Sequence, residues 1–143
     1  MQTPIHKLLL VAGLALGTAA WASVDTSPTP GGPFRLKPGT YVASGLPCEA
    51  PPNGAIRWYD GKAILPLHGL ACKTSIRARY GKRYTVDQRC LDTRSEPGRQ
   101  RTQRQSIRVR DALSFTQTIG NESVAYRYCP VYQLPAGLHL PPR

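Results

Sequence analysis

The stretch Cys72–Cys90, CKTSIRARYGKRYTVDQRC, restricts the fold more than any other part of the chain. Cys72, Thr74, Ile76, Ala78 and Tyr80 alternate with Lys73, Ser75, Arg77 and Arg79. After Gly81-Lys82 the alternation resumes, with Tyr84, Val86, Gln88 and Cys90 against Thr85, Asp87, Arg89 and Leu91. In extended chain, successive side chains leave on opposite faces, so the stretch reads as two strands and a tight turn. Both cysteines fall on the inward set, and the outward set is mostly cationic. One hairpin therefore supplies core, staple and a basic outer face.

The same period recurs on either side. Gly39–Ser44 reads as a short strand led by Tyr41, and the loop Gly45–Gly54 carries Cys48. Ala55–Tyr59 is a second strand, with Ile56 and Trp58 on one face. Asp60-Gly61 then turns the chain into Lys62–Leu65, a dipeptide favoured in hairpins because both turn residues of a type I′ turn need positive φ. Beyond the polar loop Asp92–Thr102, Gln103–Arg110 places Gln105, Ile107 and Val109 on one face. Leu113–Ile119, with Leu113, Phe115 and Ile119 inward, and Ser123–Cys129 complete the set. Helical periodicity is missing. The expectation is an all-β domain, a small antiparallel barrel or sandwich of seven or eight strands. It spans residues 39–130, with Trp58 and the inward tyrosines in its core. Residues 23–38, rich in Pro and Gly, read as a mobile leader, and 131–143 as an extended Pro-rich tail.

The N-terminus points to export. Lys7 precedes an apolar run from Leu8 to Ala20, and Ala20-Trp21-Ala22 offers a small-x-small cleavage pattern. Together these form a signal peptide over residues 1–22. The run is shorter than the roughly 20 residues a spanning helix needs, and nothing later is long and apolar enough to span. The expected location is periplasmic or secreted. Four cysteines in an exported chain, Cys48, Cys72, Cys90 and Cys129, imply two disulfides. Metal spacing such as C-x-x-C is missing, so no metal site is expected. If every connection were a plain hairpin, Cys129 would sit at the opposite end of the sheet from the other three. A pure meander is therefore disfavoured, with Asp92–Thr102 as the place to cross over. Cys72–Cys90 with Cys48–Cys129 is the preferred pairing; Cys48–Cys72 with Cys90–Cys129 stays open beside it.

Catalytic chemistry finds little footing. His68 lies in a Gly-flanked turn and His139 in the tail, neither in a nucleophile motif. The acids are scattered, and Asp87 faces out among arginines that would hold it ionised. No catalytic residue, cofactor or enzymatic activity is expected. What stands out is charge: the chain carries a formal +11. Arg77, Arg79, Arg89, Arg104, Arg108 and Arg110 all fall on the solvent parity of three strands successive in sequence, and Arg99 and Arg101 extend the set. Guanidinium groups bind carboxylate and phosphate bidentately. Tyr80 and Tyr84 are expected inward, leaving no stacking platform for bases or sugars, and an exported protein seldom meets nucleic acid. The partner expected is thus an anionic protein, as for an inhibitor or immunity factor, or an envelope polymer, bound by a monomer. The competing reading is a structural or stress-related protein whose cations merely solvate the sheet and guard its edges.

The motifs GTYV, PCEAPPNGAIRWYDG, YTVDQRC and YRYCP, between Gly39 and Pro130, resemble those of small exported β-proteins of Gram-negative bacteria. That resemblance implies a periplasmic, compact β fold. In size and class alone the chain is also similar to periplasmic lysozyme inhibitors, an analogy of fold only.

Overall fold

Alternation produces strands wherever one face can be buried. The computed structural model describes Asp25 and residues 28–67, 72–91 and 98–138. Eight strands form: β1 (Gly39–Ala43), β2 (Ile56–Tyr59), β3 (Ile64–Pro66), β4 (Cys72–Tyr80), β5 (Arg83–Leu91), β6 (Gln100–Asp111), β7 (Ser114–Ile119) and β8 (Glu122–Cys129). They pair antiparallel in the order β3-β2-β1-β8-β7-β6-β5-β4. Every strand lies beside its neighbour in sequence except at the seam between β3 and β4, and β1 pairs with β8. This is an up-and-down barrel, nearly closed. Across the seam, the Gln88 amide of β5 donates to the Ile64 carbonyl of β3 at 2.9 Å.

The expected exclusion of a meander does not hold, nor does a crossover between β5 and β6, which pair directly. The assumption that failed was that Cys48 stays at the end of β1. Instead the loop after β1 folds back along the outside of the barrel. There Cys48, Val42 and Cys129 form a small second cluster, with Leu46 and Leu134 packed on it. The Arg127 guanidinium, also outward, donates to the Leu46 carbonyl at 2.8 Å and fixes the loop. Cys48–Cys129 and Cys72–Cys90 are the two disulfides, with Cα separations of 5.8 and 4.0 Å. The expected extended tail begins instead with a 3-10 turn, Val131–Gln133, that delivers Leu134 to this cluster.

The main core fills one end of the barrel. Tyr41, Tyr59, Tyr84, Val86, Ile107, Val109, Phe115, Tyr126 and Tyr128 point inward. Phe34 and Leu36, from the stretch expected to be a mobile leader, enter between them and are 1% and 0% exposed. Phe34 meets Tyr84 and Tyr59 edge-on, with centroids 4.9 and 6.0 Å apart. Such aromatic pairs add to simple area burial. Three buried phenols find backbone acceptors: Tyr41 donates to Lys37 O, Tyr59 to Gly31 O and Tyr84 to Pro33 O. The segment is thus held by both packing and hydrogen bonds. Burial pushes the Tyr59 phenol up to about 12 and raises that of Tyr41 as well.

Trp58 is not in this core. It pairs with Thr40 and Leu65 on the outward parity and is half-buried, while its neighbour Tyr59 is fully buried. Leu113, expected inward, falls in the β6–β7 turn and is 48% exposed. The Asp60-Gly61 turn also differs from the type I′ expectation, because Asp60 does not adopt positive φ. Its carboxylate instead accepts the N–H groups of Lys62 and Ala63. Two turns follow the short-loop logic closely: Tyr80 pairs with Arg83 and Ile119 with Glu122 across two-residue loops. Gly81 and Gly120, at the first loop position, both have φ of 57°, as a type II′ hairpin requires.

Candidate anion-binding face

The outer surface of β4, β5 and β6 is built by the period-two rule and then broken by two bulges. On β5, Arg83, Thr85, Asp87 and Arg89 face out; opposite them on β6 stand Arg108, Ser106, Arg104 and Thr102. Asp87 sits in the middle and is only 8% exposed. It accepts from Arg77 Nε at 2.8 Å and from Arg104 Nε and Nη2 at 2.8 and 3.1 Å. Hydrogen bonds from Arg104 first, and then Arg77, hold its carboxyl well below the usual carboxylate range. The side chains of Arg77 and Arg104 remain 61% and 70% exposed. One carboxylate thus positions two cations and leaves their outer edges in water.

Arg83 and Arg108 face each other directly across β5 and β6. Both are exposed, and among the described residues neither has an acidic partner. Like charges directly opposite one another destabilise a sheet, and an anion bound between them would relieve that cost. From Arg108 a groove of about 480 Å³ continues across β7 and β8, lined by Arg110, Ser114, Thr116, Ser44 and Ala125 among others. The Ser44 and Thr116 hydroxyls beside two arginines suit a carboxylate or phosphate, since each can donate to an anion, while that of Ser114 is engaged by the Asp111 carboxylate. Arg110 reaches this groove as the extra residue of the bulge between Val109 and Asp111.

The six arginines expected on one face are therefore distributed unequally. Arg77 and Arg104 are tied at Asp87, and Arg108 and Arg110 line the groove. Arg89 lies apart, opposite Lys73 and Thr102. Arg79 does not belong to the face. A register shift between Ile76 and Ala78 inserts one residue, Arg77, and reverses the parity of everything after it. Arg79 consequently stands opposite Tyr84, with its guanidinium 5.4 Å from that ring. The same shift turns Ala78 and Tyr80 outward, against expectation, and Tyr80 is 89% exposed beside Arg83.

Arg83 was the residue that sequence reading missed. It shares parity with Asp87 and Arg89, but it adjoins Gly81-Lys82 and reads as part of the turn. His68, His139, Asp92 and Glu96 lie outside the described residues. No group of three or more metal-ligating side chains occurs among the described residues. Fold and face together define a small disulfide-stapled β-barrel with a structured cationic exterior. No protein-family model, curated protein or solved structure matches the chain.

Proposed function

We propose that the chain is an exported binding module that docks an acidic protein through Arg77, Arg83, Arg104, Arg108 and Arg110. The unopposed Arg83–Arg108 pair carries the reading, because it leaves a sheet face with an electrostatic cost that an anionic partner removes. A face spread over three strands suits a protein surface better than an enclosed small-molecule site. The signal-peptide pattern at residues 1–22 and the two disulfides support a periplasmic or secreted location. Among the described residues no helix is long and apolar enough to cross a membrane. The resemblance to small exported β-proteins points the same way.

The test is capture from envelope extract at about 0.1 M and about 1 M salt, across which the Debye length falls from about 10 Å to about 3 Å. A protein retained by wild type at low salt, and lost both at high salt and with Arg83→Ser/Arg108→Ser, supports the proposal. Retention of the same material by wild type and variant contradicts it. Capture that survives protease treatment of the extract identifies an envelope polymer and rules out the acidic protein.

A further inference from the structure

The end of the barrel remote from Phe34 holds a second cationic site, unrelated to the outer face. Arg57, on β2, lies opposite Tyr41 and so points into the barrel. It is half-buried and held from three directions. Its Nε donates to Gln117 Oε1 at 2.7 Å, and its Nη1 donates to the carbonyls of Gly54 and Ile56 at 3.0 and 2.8 Å. The Tyr126 ring lies 5.0 Å from the guanidinium carbon. Gln117 is fixed in turn by donating its amide to Gln105 Oε1; both glutamines are buried. The guanidinium is thus positioned before any ligand arrives.

A guanidinium has five N–H donors. These contacts use Nε and Nη1, and among the described residues Nη2 has no acceptor and Arg57 no carboxylate partner. Arg57 also lines a cavity of about 410 Å³ that opens at the barrel mouth, with Ala43, Ile119 and Val124 as apolar walls and Glu122 at its edge. That volume falls in the range of small-molecule sites. Poised, unused donors on a half-desolvated cation favour a carboxylate, and the apolar walls favour a short hydrocarbon body. Glu122 disfavours a second negative charge on the ligand.

We infer that the barrel mouth binds a small organic monocarboxylate, its charged end on Arg57 Nη2 and its apolar body against Ala43, Ile119 and Val124. The inference does not rest on the outer arginine face. The experiment titrates hexanoate into the disulfide-bonded protein and follows its backbone and Arg57 Nε–H resonances. Saturable shifts are expected at Arg57, Gln117 and Val124, with a Kd of about 1 mM or tighter, and none with hexylamine. Arg57→Gln should weaken binding about tenfold or more. Because Arg57 also ties β2 to β7, Ala43→Phe serves as a second variant: it fills the mouth, keeps the guanidinium, and should abolish binding. Arg83→Ser/Arg108→Ser should bind hexanoate as wild type does. The inference is overturned by an absence of saturable shifts at about 10 mM hexanoate. Shifts that persist in Ala43→Phe, or that centre on Arg83 and Arg108, overturn it equally.

Discussion

The two ends of the barrel interior are built from opposite chemistry. At one end Phe34 packs ring against ring with Tyr59 and Tyr84 beside Leu36, and the phenols of Tyr41, Tyr59 and Tyr84 donate to backbone carbonyls. At the other, inward positions carry Arg57 and Gln117, which line an open cavity, and Gln105, which is bonded to Gln117. The aromatic end buries apolar surface, which is the dominant favourable contribution to folding. The polar end only balances its desolvation with hydrogen bonds, each worth little net. Stability should therefore reside at the closed end, leaving the mouth free to bind.

The largest effect expected from this contrast is at the plug. Phe34→Ala should cost roughly 3–5 kcal/mol in denaturant unfolding. A cost below about 1 kcal/mol would mean the plug does not anchor the fold. Next in size is Trp58→Ala. Half-buried and outside the barrel, it should cost about 1–2 kcal/mol, less than a core aromatic. Smallest is Gln105→Leu/Gln117→Leu/Arg57→Met, which should move stability by no more than about 1 kcal/mol, because all three side chains of the linked hydrogen bonds are replaced together. A loss as large as that of Phe34→Ala would erase the distinction between the ends.

Two titrations separate the exterior from the plug. Asp87 binds its proton less readily in the fold than in the unfolded chain, because Arg104 and Arg77 hold it ionised. Its contribution is complete above the unfolded carboxylate value of about 4 and drains as pH falls below it. Asp87→Asn should flatten that acid limb of the stability curve. Tyr59 behaves in the opposite sense. It keeps its proton to about 12 in the fold but only to about 10 unfolded. Its contribution is complete below about 10 and disappears as pH rises to about 12, so Tyr59→Phe should resist alkaline unfolding better than wild type does.

Strand identity and fold class were legible because period two survives in single strands: Tyr84, Val86 and Gln88 are all buried as the alternation requires. The preferred disulfide pairing was also correct, although the topological argument around it was not. What stayed hidden were events that leave no compositional mark. A one-residue bulge at Arg77 reverses Arg79 and Tyr80 without changing the alternation of residue types. The return of the Cys48 loop along the outside depends on tertiary contacts with Arg127. Phe34 and Leu36 were masked by surrounding Pro and Gly, although their spacing of two between Pro33 and Pro38 was a strand-like signal. Arg57 was invisible as a site residue, since only the barrel places it near Gln117, a sequence distance of 60.

The contrast between the two ends is tested most directly by residue-resolved native-state hydrogen exchange on the wild-type protein. The amides of Lys37, Val109 and Tyr128 bond across the plugged end, to Ala112, Lys82 and Leu113. Those of Ser44 and Ala55 bond at the mouth, to Ala125 and Pro52. The first group should exchange only through global unfolding, while the second exchanges earlier, by local opening. Equal protection at both ends, or earlier exchange at the plug, would contradict that contrast.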